Sequence, residues 1–304
     1  MEFSLQNSVN QQIFLPKEKE IELFIKREDR IHPFVSGNKY RKLKYNLIEA
    51  KDQGFKTLLT FGGAFSNHIA AVASAGNGMG FNTIGIIRGG ELGDKINDNP
   101  TLKFAEQNGM QFKFVPRDVY RNKHSETFMN ELKKEFGRFY TIPEGGTNAL
   151  AVKGCEDILT ETDKQFDYIC CAVGTGGTIS GVINCLKPGQ QVLGFPALKG
   201  DFLQQDISKF ATNSQWKLIA DYHFGGYAKI NAELVAFINQ FKKQNQVPLD
   251  PVYTGKMLFG IFDLIEKNYF PKGAKILAIH TGGVQGIDGM NQLLKKKNLP
   301  IIDK

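Results

Sequence analysis

Seven short apolar runs punctuate the chain: 56–62 (KTLLTFG), 82–89 (NTIGIIRG), 111–116 (QFKFVP), 138–143 (RFYTIP), 167–174 (DYICCAVG), 190–196 (QQVLGFP) and 275–283 (KILAIHTGG). They are rich in β-branched and aromatic residues, too short for helices and closed by Gly or Pro, which predicts strands. Between them lie stretches such as 100–109 (PTLKFAEQNG) and 232–244 (AELVAFINQFKKQ), whose apolar positions recur at helical spacing. Continuous apolarity predicts strands buried on both faces. Its alternation with helices predicts an α/β fold of parallel twisted sheets with helices on both faces.

At 304 residues the chain is long enough for two domains, although no repeat, low-complexity tract or linker marks a boundary. An apolar content of 41% and a charged content of 23% are ordinary for a globular protein, and no apolar run is long enough to cross a bilayer. The N-terminus MEFSLQNSVNQQIFLP lacks the features of a signal peptide, so the expected compartment is the cytoplasm. Cys155, Cys170, Cys171 and Cys185 make neither a CxxC pair nor a secreted framework, and Cys170–Cys171 read as small core residues in a reducing compartment. The net charge of +7 comes from scattered lysines without interleaved aromatics, which disfavours nucleic acid as a partner. The five histidines show no metal-ligand spacing, so no metal site is expected.

Candidate chemistry concentrates in loops that follow strands, where ligands of parallel sheets bind. In TFGGAFSNHIAAVASAG, Ser66 and Asn67 open a small-residue helix; the ordinary reading is an N-cap, and a helix N-terminus also accepts a carboxylate. In CAVGTGGTISG, a strand feeds Gly174, Thr175, Gly176, Gly177 and Thr178, whose backbone N–H groups and hydroxyls suit a phosphate. A P-loop would need Gly-Lys-[Ser/Thr], which is absent. A dinucleotide fingerprint counted from Gly174 meets Ile179 in place of its third glycine, and no acidic residue follows before Asp201. A small phosphorylated cofactor is the better fit. Tyr253 and Thr254 precede another helix and Thr281 ends the last strand, positions that by themselves suggest packing. Lys39, in Ser-Gly-Asn-Lys at a turn before a helix, would by itself be a solvated charge.

The segments SGNKYRKL, FGGAFSNH, IIRGGE, PEGGTNALAVKG, VGTGGTISG, DPVYTGK and HTGG occur in one order across residues 24 to 290. Taken together, the chain resembles the fold type II pyridoxal-phosphate enzymes of the 1-aminocyclopropane-1-carboxylate (ACC) deaminase and D-cysteine desulfhydrase group. The resemblance implies pyridoxal 5'-phosphate as cofactor, linked covalently to Lys39, with Lys42 and Gly174–Thr178 at its phosphate and Asn67 at its ring hydroxyl. It further implies Ser66, with the N–H groups after it, at the substrate carboxylate, Phe65 and Asn67 among the substrate-binding residues with His68 behind them, Tyr253 and Tyr227 flanking the substrate, and Thr254 and Thr281 around the ring nitrogen. A larger cofactor domain of 1–42 plus 147–304, a smaller domain of 43–146 and a homodimer are implied as well.

Two positions bear on substrate. Phe65 stands where the family has Gln, which makes that edge of the site less polar. Thr254 and Thr281 match the D-cysteine desulfhydrases, where ACC deaminases carry Glu and an apolar residue. Hydroxyl groups leave the ring nitrogen largely neutral and the ring a weaker electron sink, which suffices to expel thiolate. The expected activity is β-elimination from a small amino acid, D-cysteine giving pyruvate, ammonia and sulfide. ACC deamination is the alternative, and a non-catalytic cofactor or amino-acid binding protein a more distant one. Either Lys39 or Tyr253 is the expected base for the Cα proton.

Overall fold

The computed structural model describes residues 2–16, 19–200 and 202–304; Asp201 lies outside them. Its strands are β1 (Asn10–Ile13), β2 (Glu22–Lys26), β3 (Thr57–Gly62), β4 (Asn82–Arg88), β5 (Met110–Val115), β6 (Tyr140–Ile142), β7 (Tyr168–Val173), β8 (Gln191–Pro196), β9 (Trp216–Leu218) and β10 (Lys275–Ile279). They form a six-stranded sheet in the order β1-β2-β10-β7-β8-β9 and a four-stranded sheet in the order β5-β4-β3-β6. All pairings are parallel except that of β1 with β2. The seven predicted runs all contain strands; β1, β2 and β9 carried no comparable signal.

Among the described residues eleven α-helices cover these sheets: α1 (Asn38–Asp52), α2 (Asn67–Met79), α3 (Pro100–Gln107), α4 (Arg117–Arg121), α5 (Glu126–Phe136), α6 (Ala149–Glu156), α7 (Gly177–Asn184), α8 (Phe202–Ser208), α9 (Ala232–Asn245), α10 (Thr254–Glu266) and α11 (Gly286–Lys296). Alternate residues of each central strand enter opposite cores. In β7, Cys170 and Ala172 join Ile238, Met257 and Ile287 of α9, α10 and α11. Ile169, Cys171 and Val173 join Ile158, Ile179, Val182 and Leu203 on the face of α6, α7 and α8. In the four-stranded sheet, Leu58 meets α1, α2 and α3, while Leu59 and Phe61 meet the side of α4 and α5. This two-sided burial explains why the strands read as unbroken apolar runs.

Candidate active site

The C-terminal ends of β3, β4, β7 and β10 open into one cleft of ≈ 730 Å³. It is lined by Lys39 and Lys42, by Phe65 to His68, by Gly174, Thr175, Gly176 and Thr178, and by Tyr227, Tyr253 and Thr281. Residues more than two hundred positions apart thus meet in a single cavity.

Lys39 is placed by Gly37. That residue has φ 57°, and a β-carbon on it would sit 2.2 Å from the carbonyl oxygen of Thr281, so only glycine lets the turn press against the end of β10. The amine of Lys39 donates to Asn38 Oδ1 at 3.2 Å, and Asn38 Nδ2 donates to Thr178 Oγ1 at 2.8 Å. Burial lowers the Lys39 pKa to about 8, against the opposing pull of nearby Cys155 and Asp250. About a tenth of the amine is therefore unprotonated at pH 7, far more than for a solvated lysine.

Lys42 lies one helical turn on and is buried. Its Nζ donates to Gly145 O at 2.8 Å, Thr147 Oγ1 at 2.9 Å and Thr175 Oγ1 at 3.3 Å, which occupies all three hydrogens of an ammonium. The two hydroxyls lie 2.6 Å apart. Each accepts from Lys42 and one donates to the other, so one hydroxyl hydrogen remains for a ligand. Burial, then the charge of Lys39, lowers the Lys42 pKa to about 7.

Gly176, at φ 81°, forms the N-cap of α7 and turns the strand into the helix. The N–H groups of the first helical turn have no intrahelical carbonyl, and Gly176, Thr178 and Ile179 of this turn line the cleft. Gly177 lies behind this surface, where a β-carbon would come 2.8 Å from Thr147 Oγ1 and 3.2 Å from Lys42 Cε. The ammonium, the hydroxyl pair and the free N–H groups together fit a phosphate ester.

Across the cleft, Ser66 caps α2: its Oγ accepts from the N–H of His68 at 3.2 Å and Ile69 at 3.4 Å, which leaves its own hydrogen free to donate. His68 is buried, and its Nε2 lies 2.8 Å from Thr60 Oγ1. Thr60 Oγ1 also lies 2.9 Å from Ile142 O, so with the Thr60 hydrogen on that carbonyl the imidazole donates from Nε2 and Nδ1 is the unprotonated nitrogen. That Nδ1 is buried without a protein partner. Burial, reinforced by Lys39 and Lys42, holds the His68 pKa well below the usual imidazole value.

Asn67 Oδ1 accepts from Gln285 Nε2 at 3.3 Å. Its carboxamide lies beside Asp250, a fully buried carboxylate that also lines the cleft. Asp250 Oδ1 accepts from the N–H of Val252 at 3.0 Å and of Tyr253 at 2.6 Å; Oδ2 has the Asn67 carboxamide beside it but no hydrogen bond of good geometry. Burial raises its pKa to about 6, against those two N–H groups. Three of the four buried partnerless polar atoms among the described residues, on His68, Asp250 and Gln285, belong to residues of this cleft, as expected where a ligand completes the hydrogen bonding.

Tyr253 packs edge-to-face on Tyr227, with ring centroids 6.2 Å apart. Burial, then Tyr227 and Asp250, pushes the Tyr253 pKa well above the ordinary phenol value. Tyr227 sits on a loop clamped by Lys256, whose Nζ donates to His223 O at 2.9 Å and Gly226 O at 2.8 Å.

One expected position is corrected. Thr254 is fully buried and does not line the cleft; its Oγ1 accepts from Asp250 N at 2.8 Å and bonds back to Asp250 O at 3.3 Å. A threonine in the first turn of a helix readily satisfies the backbone four residues earlier, which turns this hydroxyl away from any ligand. Thr281 does line the cavity. Thr147, Gly145, Asp250 and Gln285 were not singled out from the sequence. Gly145-Gly146-Thr147 follows a strand as the Gly174 loop does, and that was the available signal.

The cleft thus offers a buried amine and an anion cradle, the two groups a pyridoxal phosphate calls for. A family model for pyridoxal-phosphate dependent enzymes matches residues 10–282, and the chain belongs to that family. Over 304 aligned residues it is 34% identical to the mitochondrial bifunctional D-cysteine desulfhydrase/ACC deaminase of Arabidopsis thaliana, covering 90% of this chain and 75% of that one. It is 31% identical to a Pyrococcus horikoshii protein provisionally named an ACC deaminase, covering 87% and 85% of the two chains. Among solved structures, an ACC deaminase homologue matches with a TM-score of 0.81 at 28% identity, covering 95% of this chain and 94% of that one.

Proposed function

We propose that the chain is a lyase that removes the Cα proton of a small amino acid and expels its β-substituent, with D-cysteine as substrate and pyruvate, ammonia and sulfide as products. The observation that carries this reading is one cleft holding both the Lys39 amine and the Lys42–Thr175 anion cradle. When bound, pyridoxal 5'-phosphate supplies an aldehyde that captures amines and a conjugated ring that accepts the electron pair left at Cα. The free hydrogen of Ser66 and the N–H of Asn67 at the start of α2 hold the substrate carboxylate. Lys39, with its pKa near 8, takes the Cα proton; Tyr253, held as a neutral phenol, donates to the departing sulfur. The base is therefore read as Lys39 and the acid as Tyr253.

Thr281 at the cleft and the absence of a glutamate at position 254 favour thiolate elimination over ring opening. The name of the Arabidopsis relative supports the same activity. ACC deamination is the second reading, favoured by the buried carboxylate of Asp250 in the same cleft, which would strengthen the electron sink. Sulfide release from D-cysteine and 2-oxobutyrate formation from ACC, measured side by side on cofactor-loaded protein, decide between them. ACC turnover with D-cysteine inert would reverse the assignment; loss of product in Lys39→Ala is expected in either case. The cysteines are unpaired and no helix among the described residues is long and apolar enough to cross a membrane, which fits the reducing cytoplasm as the compartment.

A further inference from the structure

Beyond the anion cradle, Lys39 and Ser66, part of the cleft lining is apolar. Phe65, immediately before the carboxylate-holding Ser66, is 54% exposed, an unusual position for a phenylalanine without a partner. Its ring rests on α11 at Gly289, where a β-carbon would come 2.7 Å from Cδ1 and 2.9 Å from Cε1. Gly286, Gly289, Met290 and Leu293 follow the i, i+3, i+4, i+7 spacing of one helical face, and all four line the cleft. Leu293 is 37% exposed, and Leu198 and Val252 extend the same surface. Gly289 lets the Phe65 ring pack against the helix, and Phe65 and Leu293 present exposed apolar surface to the cleft. Arg88, Glu144 and Lys296 also border the cleft and supply its charged edge.

We infer that this surface is a subsite for an apolar group carried on the substrate's β-sulfur, so that the preferred substrate is a thioether of cysteine, S-alkyl or S-aryl, over cysteine itself. The inference rests on the β-elimination reading above. A carboxylate held at Ser66 puts Phe65 beside the substrate, and a free thiol would leave the apolar wall wet. An alkyl or aryl substituent would cover it. The chemistry balances without a further reactant: the Cα–H bond gives its proton to Lys39, and the Cβ–S bond breaks with its electron pair on sulfur. Tyr253 protonates that sulfur to a thiol, and water hydrolyses the resulting enamine to pyruvate and ammonium.

The test compares kcat/KM for both enantiomers of cysteine, S-methylcysteine and S-benzylcysteine by coupled pyruvate detection, together with equilibrium binding of the same compounds to Lys39→Ala protein. Each good apolar contact is worth roughly tenfold or more, so S-benzylcysteine should exceed cysteine by about 10- to 200-fold in kcat/KM and by at least about tenfold in affinity. Phe65→Gln and Leu293→Gln should each reduce that ratio. Pyruvate from cysteine with no advantage for the thioethers in rate or binding overturns the subsite and leaves the elimination reading intact. Tighter thioether binding by Lys39→Ala, with no oxoacid from any compound by wild type, supports the subsite and overturns the elimination reading.

Discussion

Replacing Lys42 with methionine keeps a buried unbranched chain but removes the amine that donates to Gly145 O, Thr147 Oγ1 and Thr175 Oγ1. With the pKa lowered to about 7, roughly nine-tenths of this amine is neutral at pH 8. A phosphate ester is by then a dianion, because its second ionisation lies near ~6. Binding the dianion beside Lys42 pulls the pKa back up, so the protein must take up close to one proton. Pyridoxine 5'-phosphate, which lacks the aldehyde and cannot link to Lys39, isolates this event. Calorimetric titrations in buffers of different ionisation enthalpy should report uptake of about 0.9 proton at pH 8; at about pH 6 Lys42 is already charged and takes up only about 0.1, while the half-protonated ligand phosphate gives up about half a proton, so the net turns to release. In Lys42→Met the uptake at pH 8 should vanish, with affinity reduced by about tenfold or more, on the order of 1.4 kcal/mol, for loss of the positive charge behind the hydroxyl pair. The unliganded protein carries a matching signature. The pKa of Lys42 in the folded chain lies below the unfolded value, so between about pH 7 and 10.5 the unfolded chain binds more protons. Wild-type stability should therefore rise with pH relative to Lys42→Met over that window, by at most about 1.4 kcal/mol per pH unit. Proton uptake that persists in the variant, or that is unchanged at pH 6, would refute the reasoning.

Three further outcomes are expected. Borohydride reduction of the cofactor-loaded protein should bleach its near-visible band and fix the label on Lys39, and the rate of cofactor capture by the unliganded protein should rise with pH to a plateau just above about 8; labelling of a different lysine would exclude the assignment. Gly37→Ala forces a β-carbon against Thr281 O at positive φ, and should cost more than about 2 kcal/mol in urea unfolding as well as weakening cofactor binding. Lys256→Met leaves the carbonyls of His223 and Gly226 without their charged donor, at about 1.5–3 kcal/mol each, and hydrogen exchange should accelerate across 223–229 while the rest of α10 stays protected. Uniform exchange across α10 and the loop would argue against a local clamp.

Two-sided burial made the central strands legible, since β3, β4, β7, β8 and β10 present apolar residues to both cores. The six-stranded sheet's edges were not: β1 is Asn-Gln-Gln-Ile and β9 has three residues, so neither carries enough apolar surface to register. In the site, Gly37, Gly174 and Gly176 were readable because special backbone geometry leaves a mark in composition. Asp250 was not, because an Asp-Pro before a helix reads as an ordinary turn, and only the fold reveals that its second oxygen is buried at the cleft. Thr254 was misread for the complementary reason: family position marks a residue but does not say which way a hydroxyl turns when its own helix offers acceptors. The thiol pKa values and the Lys42 hydroxyl pair likewise depend on neighbours brought together from distant segments.

Cys170 and Cys171 are consecutive residues of one strand, yet the first faces α9, α10 and α11 and the second faces α6, α7 and α8. Both are buried, and burial raises both thiol pKa values, that of Cys171 to about 12, so neither reacts with alkylating agents while its layer is closed. The pair therefore makes a built-in two-channel clock for partial unfolding. In a pulse of alkylating reagent read by peptide mass, modification of Cys170 alone would record separation of the α9–α11 layer. Modification of Cys171 alone would record separation of the layer that carries the anion cradle, and simultaneous modification would record global unfolding.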